Sequence, residues 1–187
     1  MRIVPFRGEY HELSDGAAHL VRGLVYPVPD PELPFLGVHL TRGIDGHVHA
    51  GPNAVLALAR EGYDWGRVDA RDLADTLRFG GFWRLARRQA RSGASEMRRS
   101  LSHRQFADSV RRLLPEVSDA DLVPAPAGVR AQAVRPDGSL VDDFLLERHG
   151  RVVHLLNAPS PAATAALEIA RHVTETLWPG SRSGVRG

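Results

Sequence analysis

The spacing of hydrophobic and polar positions is typical of β-strands from Met1 to about Ala59. The stretch RIVPFRGEYHEL predicts a strand with Gly8 near its centre, at a place suited to a bulge or a close backbone approach. The stretch LGVHLTRGIDGHVHAGP predicts two short strands around a turn at residues 43–46. Between them, the four prolines of LVYPVPDPELPF predict an extended loop.

A helical period replaces this pattern from about Asp69 to Leu114. Asp69 is a suitable N-cap for a first helix, which we expect to end at Gly80–Gly81. Ser102 is the expected N-cap of a later helix that ends at Pro115. The apolar stripe of that helix comprises Phe106, Val110, Leu113 and Leu114.

Extended structure returns after residue 118. SDADLVPAPAGVRAQAV predicts a strand, PDGSL a turn, and DFLLERHGRVVHLLNA a hairpin that turns at His149–Gly150. A last helix is expected after Pro161 with Ser160 as its N-cap, and the tail SRSGVRG is expected to be disordered. The order of these elements predicts an α+β chain with a mostly antiparallel sheet and a helical insertion.

Composition narrows the classes of function. The 187 residues carry a net charge of +2, contain no cysteine, and have arginine at all 24 basic positions. Disulfides and thiolate metal sites are therefore excluded, and the near-balanced charge argues against nucleic-acid binding. No glycine-rich G-x-G-x-x-G segment offers a nucleotide-phosphate site, and no apolar run approaches a membrane span. We expect a cytoplasmic protein.

Three histidines in the first hairpin are candidates for chemistry. His47 and His49 share a face by the period of a strand, and His39 lies in the preceding strand. They could bind a metal, accept a proton or be structural, and since we expect no carboxylate on their face, a metal site is not predicted.

Arg130 follows Gly128 and shares a strand face with Gln132. Its forked guanidinium is suited to a carboxylate, although a surface arginine fits the local pattern as well. Near the N-terminus, Arg7 and Glu9 share a face, so a cross-strand or intrastrand ion pair is expected there.

The turn NAPSPAA, residues 157–163, contains almost nothing but small residues. Such residues at a helix start leave backbone N–H donors open to an anion or a polarised carbonyl, but they also permit close packing of a helix against a sheet. The residues alone leave these alternatives balanced.

The sequence resembles the FAD-dependent L-2-hydroxyglutarate oxidases and dehydrogenases of the D-amino-acid-oxidase-like superfamily. The resemblance runs from residue 2 to about residue 173, in the order that the family follows. Its matching stretches are RIVPFRGEY, YPVPDPELPFLGVHLTRGIDGHVHAGPNAVLALAREGY, GFWRLARRQ, LVPAPAGVRAQAV, DGSLVDDF and NAPSPAATAALEIARHV.

The resemblance implies a domain division and a missing part. Residues 1–173 would form the substrate-binding domain with a C-terminal flavin-contacting segment, and residues 174–187 a helix end and tail. Members of the family begin with a βαβ unit that binds the FAD pyrophosphate, and this sequence does not contain that unit. It would then correspond to the C-terminal half, completed by a missing N-terminal half or by a partner chain.

The resemblance also implies roles for single residues. Arg130, next to Gly128 in the G-x-R motif, would bind a substrate carboxylate, with Gln132 beside it. By their location, His39 and His49 would be catalytic, and Arg7, Tyr10 and Asn53 would contact the dicarboxylate substrate. The residues expected to contact the FAD ring are Gly128, Asn157, Ala158, Pro159, Ser160, Pro161, Ala162 and Ala163.

The implied reaction is oxidation of L-2-hydroxyglutarate to 2-oxoglutarate by hydride transfer to the flavin. Oxygen or a quinone would reoxidise the flavin, and a quinone would imply a peripheral contact at the inner face of the membrane. Alternatively, the chain is a carboxylate-binding module without catalysis, or an inactive half that needs a partner chain.

Overall fold

A computed structural model describes residues 1–28, 37–159 and 162–177. It confirms the predicted α+β chain with antiparallel pairing, divided into two compact units, Met1–Leu140 and Val141–Gly187. The strands are β1 (Arg2–Leu13), β2 (Leu24–Val25), β3 (His39–Arg42), β4 (Val48–Gly51), β5 (Val55–Leu56), β6 (Leu122–Val134), β7 (Leu145–His149) and β8 (Val152–Asn157). The helices are α1 (Ala70–Leu77), α2 (Gly80–Arg88), α3 (Ala90–Leu101), α4 (His103–Arg111) and α5 (Ala166–Leu177).

Strand β1 organises the sheet of the first unit. It pairs antiparallel with β6 along its length, from Arg2 opposite Val134 to Leu13 opposite Leu122. Its other edge pairs with β5 near Phe6 and with β4 near Glu12, and β4 continues into β3 and β2. Residues far apart in sequence therefore meet as cross-strand neighbours on β1.

Gly8 provides the predicted close approach. A Cβ atom at this position would lie 2.5 Å from Cβ of Pro52 and 3.0 Å from the carbonyl oxygen of Asn53. The register of β1 against β6 also shifts between Gly8 and Tyr10, as in a β-bulge. The absence of a side chain thus lets the loop after β4 lie directly on β1.

The predicted helices cover this sheet. The carboxylate of Asp69 accepts hydrogen bonds from the first N–H groups of α1, and Ser102 caps α4 as expected. Phe106 of α4 is fully buried in a cluster with Leu40 and Val48 of the sheet. Burying an aromatic ring of this kind stabilises a fold by roughly 1.5–3 kcal/mol.

The second unit contains the predicted hairpin, β7 and β8, which turns at Gly150 with φ +60°. The buried side chain of Asn157 donates to the carbonyls of Val141 and Asp143, at 3.0 and 2.9 Å. This amide therefore ties the end of β8 to the segment that precedes β7.

The last helix begins later than the sequence predicted. Turns occupy residues 162–165, because the N–H groups of Ala162 and Ala166 donate to the carbonyls three residues earlier. The first helical bond here runs from Ile169 N–H to the Ala165 carbonyl. The helix expected after Pro161 is thus confirmed, but it begins at Ala166.

Several predictions fall outside the described residues. They are the N-cap at Ser160, the role of Pro161, part of the proline-rich loop at 29–36 and the tail at 178–187. Among the helices that the structure describes, none is long and apolar enough to cross a membrane.

Candidate functional site

Two rows of cross-strand neighbours build a cavity of about 520 Å³ on the sheet of the first unit. In one row, His49 of β4 lies between Glu12 of β1 and Thr41 of β3. In the next row, Gly51 of β4 lies opposite His39. The cavity is lined by Tyr10, Glu12, His39, Thr41, His49, Gly51, Ala125 and Pro126. The structure thus brings together three residues that the sequence proposed for the site.

Gly51 forms part of the cavity wall, and a larger residue would not fit at this position. Its φ of +142° is one that L side chains rarely adopt. A Cβ atom at Gly51 would lie 2.7 Å from the Glu9 carbonyl and 3.0 Å from Cδ1 of Tyr10. The Tyr10 ring therefore packs directly against the backbone of β4.

Glu12 accompanies the histidines, and the expectation that no carboxylate shares their face was wrong. Its Oε1 lies 3.5 Å from Nδ1 of His49, and its Oε2 lies 3.9 Å from Nδ1 of His47. Glu12 comes from β1, so only the sheet register could have revealed it. Even so, no set of three or more metal-ligating side chains among the described residues is arranged to hold a metal ion.

The ring of His39 is oriented by its neighbours. Its Nδ1 lies 3.2 Å from the carbonyl oxygen of Gly37, and its ring lies 4.8 Å from the ring of Tyr26 between centroids. A carbonyl oxygen can only accept a hydrogen bond, so Nδ1 carries the proton. In the neutral ring, Nε2 is then the proton acceptor.

Tyr10 supplies a hydroxyl group to the same cavity. Burial raises the pKa of Tyr10 above its usual range, and the positive charge of Arg130 opposes that shift only in part. The hydroxyl therefore stays protonated at neutral pH and is able to donate a hydrogen bond. A Cβ atom at Gly128 would lie 3.6 Å from Cε2 of Tyr10, so this glycine also lies beside the ring.

Arg7 and Asn53 belong to a separate polar cluster around Glu9. The predicted ion pair is confirmed, with Nη2 of Arg7 2.5 Å from Oε1 of Glu9. Asn53 donates from Nδ2 to Oε2 of Glu9 at 3.0 Å and accepts the Glu9 backbone N–H at 2.7 Å. The Arg7 guanidinium lies 4.1 Å from the ring centroid of Trp65, a residue that the sequence did not suggest.

These contacts pair the charge of Arg7 inside the protein. Its side chain is 3% exposed, and its buried Nε has no hydrogen-bond partner among the described residues. Of the residues that the structure describes, Arg7, Asn53, Arg130 and Gln132 are not in the cavity wall. Gln132 is buried opposite Val4 and donates to the Ala133 carbonyl at 3.3 Å. The roles of these four residues, from Arg7 to Gln132, in binding substrate stay predictions.

The turn of the second unit presents small residues after β8. Ala158 and Ala163 are exposed, and Pro159 and Ala162 are half-buried. The N–H of Ala162 already donates to the Pro159 carbonyl at 3.0 Å, so it is not an open donor. The helix itself begins at Ala166 and carries Glu168 in its first turn. Any contact with a flavin here would therefore involve the turn rather than the end of a helix.

Comparison with known proteins places the chain in a family. The model of the FAD dependent oxidoreductase family, DAO, matches residues 1–176. This chain belongs to that family. Members of the DAO family are FAD-dependent, so FAD is the cofactor of the family's chemistry. The match includes both the cavity and the turn after β8.

Three curated relatives of the chain carry the name L-2-hydroxyglutarate dehydrogenase. The chain is 47% identical over 175 residues to the L-2-hydroxyglutarate dehydrogenase of Indibacter alkaliphilus, covering 94% of this chain and 44% of the relative. It is 50% identical over 175 residues to that of Escherichia coli strain K12, covering 94% of this chain and 42% of the relative. The mitochondrial enzyme of Nematostella vectensis is 50% identical over 179 residues, with coverages of 93% and 39%. The chain thus spans less than half the length of these relatives.

Proposed function

We propose that this chain acts in the FAD-dependent oxidation of L-2-hydroxyglutarate to 2-oxoglutarate. The observation that carries the proposal is the cavity in which Tyr10, His39 and His49 meet. The names of the relatives support the choice of substrate. Oxidation of a 2-hydroxy acid needs a group that accepts the hydroxyl proton, and a histidine in this cavity is able to do so.

The residues of this chain would bind the substrate and take its proton. Bound FAD supplies the chemistry of accepting the C2 hydrogen as a hydride. His49, or His39, takes the proton of the substrate hydroxyl on Nε2, and the Tyr10 hydroxyl donates a hydrogen bond to the substrate. Arg130, which is exposed and acts electrostatically on Tyr10, binds a substrate carboxylate.

Residues of the turn after β8 would contact the flavin. Ala158, Pro159, Ala162 and Ala163 offer small side chains and no charge, which suits close packing against a flat ring. Asn157 would act indirectly, because its amide is used in holding the turn to residues 141–143. The unit that cradles the FAD pyrophosphate would come from outside the residues of this chain.

Turnover tests the proposal in flavin-loaded protein, in which a dinucleotide-binding unit has been supplied to this chain. With FAD, an electron-accepting dye and L-2-hydroxyglutarate, we expect the dye to be reduced and 2-oxoglutarate to form. His49→Gln should lower kcat by about 100-fold or more if His49 is the base. His19→Gln, at an exposed position, is the matched control. If the flavin-loaded protein reduces the dye with another 2-hydroxy acid but not with L-2-hydroxyglutarate, the proposed substrate is wrong.

Binding to the chain without flavin separates catalysis from a carboxylate-binding module. Since the sequence has no pyrophosphate cradle, we expect this chain alone to hold FAD weakly and to purify colourless. Titration of 2-hydroxyglutarate by calorimetry should then show no tight binding. Micromolar binding of 2-hydroxyglutarate without flavin would favour the carboxylate-binding module. Stoichiometric flavin in the purified chain would contradict the expectation that the chain lacks a pyrophosphate site.

A peripheral contact with an anionic membrane surface is a second proposal. Residues 78–104 contain eight arginines and a single acidic residue, Glu96. Trp83 and Leu101 on the same helices are 50% and 71% exposed. Basic helices with exposed aromatic and aliphatic side chains bind anionic lipid surfaces. The chain should co-sediment with vesicles that contain anionic lipid, less so at high salt, and not with neutral vesicles.

A further inference from the structure

We propose that Glu12 is a positioning residue that orients His49 so that its Nε2 accepts the substrate proton. This inference rests on the proposed function and assigns the base to His49 rather than His39. Among the described residues that line the cavity, Glu12 is the single acid. Its Oε1 lies 3.5 Å from Nδ1 of His49, an ion-pair distance that a closing of about 0.5 Å would turn into a hydrogen bond.

The sheet register fixes this pair. Glu12 and His49 are direct cross-strand partners, and Thr41 is the partner of His49 on its other side. His49 of β4 therefore lies between β1 and β3, and the carboxylate of Glu12 is on the β1 side. Both side chains are about one-third exposed, at 34% and 39%, so they remain open to the cavity.

The chemistry of the two groups determines the proton positions. A carboxylate at neutral pH accepts hydrogen bonds and donates none, so the Nδ1 that faces it carries the hydrogen. The lone pair of the neutral ring is then on Nε2, the atom that can receive a proton. A carboxylate that holds a histidine in one tautomer and stabilises the imidazolium is the arrangement found in catalytic triads.

His47 and His39 lack this combination. Nδ1 of His47 is 3.9 Å from Glu12, its side chain is 53% exposed, and it is not in the cavity wall among the described residues. Nδ1 of His39 faces the neutral carbonyl of Gly37, which orients the ring but offers no charge to an imidazolium. Counting only contacts between described residues, His49 alone of the three histidines combines a place in the cavity with a carboxylate near Nδ1.

Nitrogen NMR of the chain labelled with ¹⁵N-histidine tests the orientation without flavin or turnover. In the neutral form, the signals of His49, assigned by their loss in His49→Gln, should show hydrogen on Nδ1. Glu12→Gln keeps an acceptor oxygen and should retain this tautomer, whereas Glu12→Ala should lose it. His47→Gln is the control and should leave the His49 tautomer unchanged. Hydrogen on Nε2 in the unaltered chain, or an unchanged tautomer in Glu12→Ala, would overturn the proposal.

Kinetics of the flavin-loaded protein test the consequence. Glu12→Ala should lower kcat by about 10- to 100-fold, less than loss of the base itself, with KM nearly unchanged. Glu12→Gln should recover part of that loss because it restores the acceptor. If the unaltered protein oxidises the substrate and Glu12→Ala is fully active, the positioning role is refuted while the proposed function stands. If the tautomer behaves as expected but no 2-hydroxy acid is oxidised, the proposed function fails instead.

Discussion

At the scale of single residues, the structure depends on a few glycines at which there is no room for a side chain. Gly8 and Gly51 flank the point where the loop after β4 lies on β1, and both would collide with backbone or ring atoms if they carried a Cβ. The close approach at Gly51 brings Tyr10 against β4, within the cavity. The packing of these glycines therefore contributes to the shape of the site.

Gly8→Ala should destabilise the chain by about 1–3 kcal/mol, because the new Cβ would meet Cβ of Pro52 at 2.5 Å. Urea unfolding followed by circular dichroism measures the change. The matched control is Gly93→Ala in α3, where a Cβ meets nothing within 4 Å. That variant should stabilise the helix by up to about 1 kcal/mol. Equal effects of the two substitutions would contradict the close approach.

Arg7→Met should destabilise the chain by about 3 kcal/mol, since it leaves the carboxylate of Glu9 without its buried cation. The methionine keeps most of the packing against Trp65, so the loss reports mainly on charge. Urea unfolding again measures it. Arg60→Met is the control, because Arg60 pairs with Asp72 but is 69% exposed, and such surface pairs contribute little. A loss no larger than that of the control would show that the Arg7 pair is not needed for stability.

At the scale of elements, a pair of histidines connects β1 to α4. Nε2 of His103 lies 2.9 Å from the Asp119 carbonyl and so carries a hydrogen, which makes Nδ1 of His103 an acceptor. His11 then donates to it from Nε2 at 3.3 Å, and Nδ1 of His11 is a buried lone pair with no partner among the described residues. The His11 ring also lies 4.1 Å from the ring of Phe106 between centroids.

This geometry predicts a loss of stability in acid. Burial, with a further contribution from His103, lowers the pKa of His11 below its usual value of 6.5, and Glu9 opposes this only in part. The unfolded chain therefore binds the His11 proton at a higher pH than the folded chain does. The contribution of this group to stability is complete above pH 6.5 and is lost as the pH falls through the folded pKa.

Comparing the free energy of unfolding at about pH 7.5 and about pH 5.5 tests this effect. His11→Phe keeps a ring beside Phe106 and removes the titration, so stability should depend less on pH in that variant. His19→Gln, at an exposed position, should keep the pH dependence of the unaltered chain. An identical pH dependence in all three proteins would refute the role of His11.

At the scale of the whole molecule, the chain divides into two units, and in the second the side chain of Asn157 ties the end of β8 to the segment before β7. Asn157→Leu would remove the two hydrogen bonds from the Asn157 amide to the carbonyls of Val141 and Asp143, a cost of about 1–3 kcal/mol in all. Hydrogen exchange should then show lost protection in β7 and β8 and unchanged protection in β1 and β6. Lost protection throughout both units would contradict a local role.

The sequence alone was sufficient for elements that local signals specify. Asp69 and Ser102 were predicted as caps because a side-chain oxygen next to a helix start can accept its first N–H groups. The hairpins were predicted from glycines at their turns, and Gly46, Gly138 and Gly150 indeed have positive φ. The helix after Pro161 was predicted as well, but its first residue was not, because residues 162–165 form turns that the sequence did not signal.

Cross-strand register was what the sequence could not supply. Tyr10, His39 and His49 were proposed from their positions and from the family resemblance, but Glu12, their acidic neighbour, was missed. Which residue of β1 faces β4 depends on how two distant segments align, and a shift by one residue would turn every side chain to the other face. The sequence by itself thus determined the elements, the family and most candidate residues. Only the tertiary structure decided which of them share a cavity, because that choice is made by packing between strands.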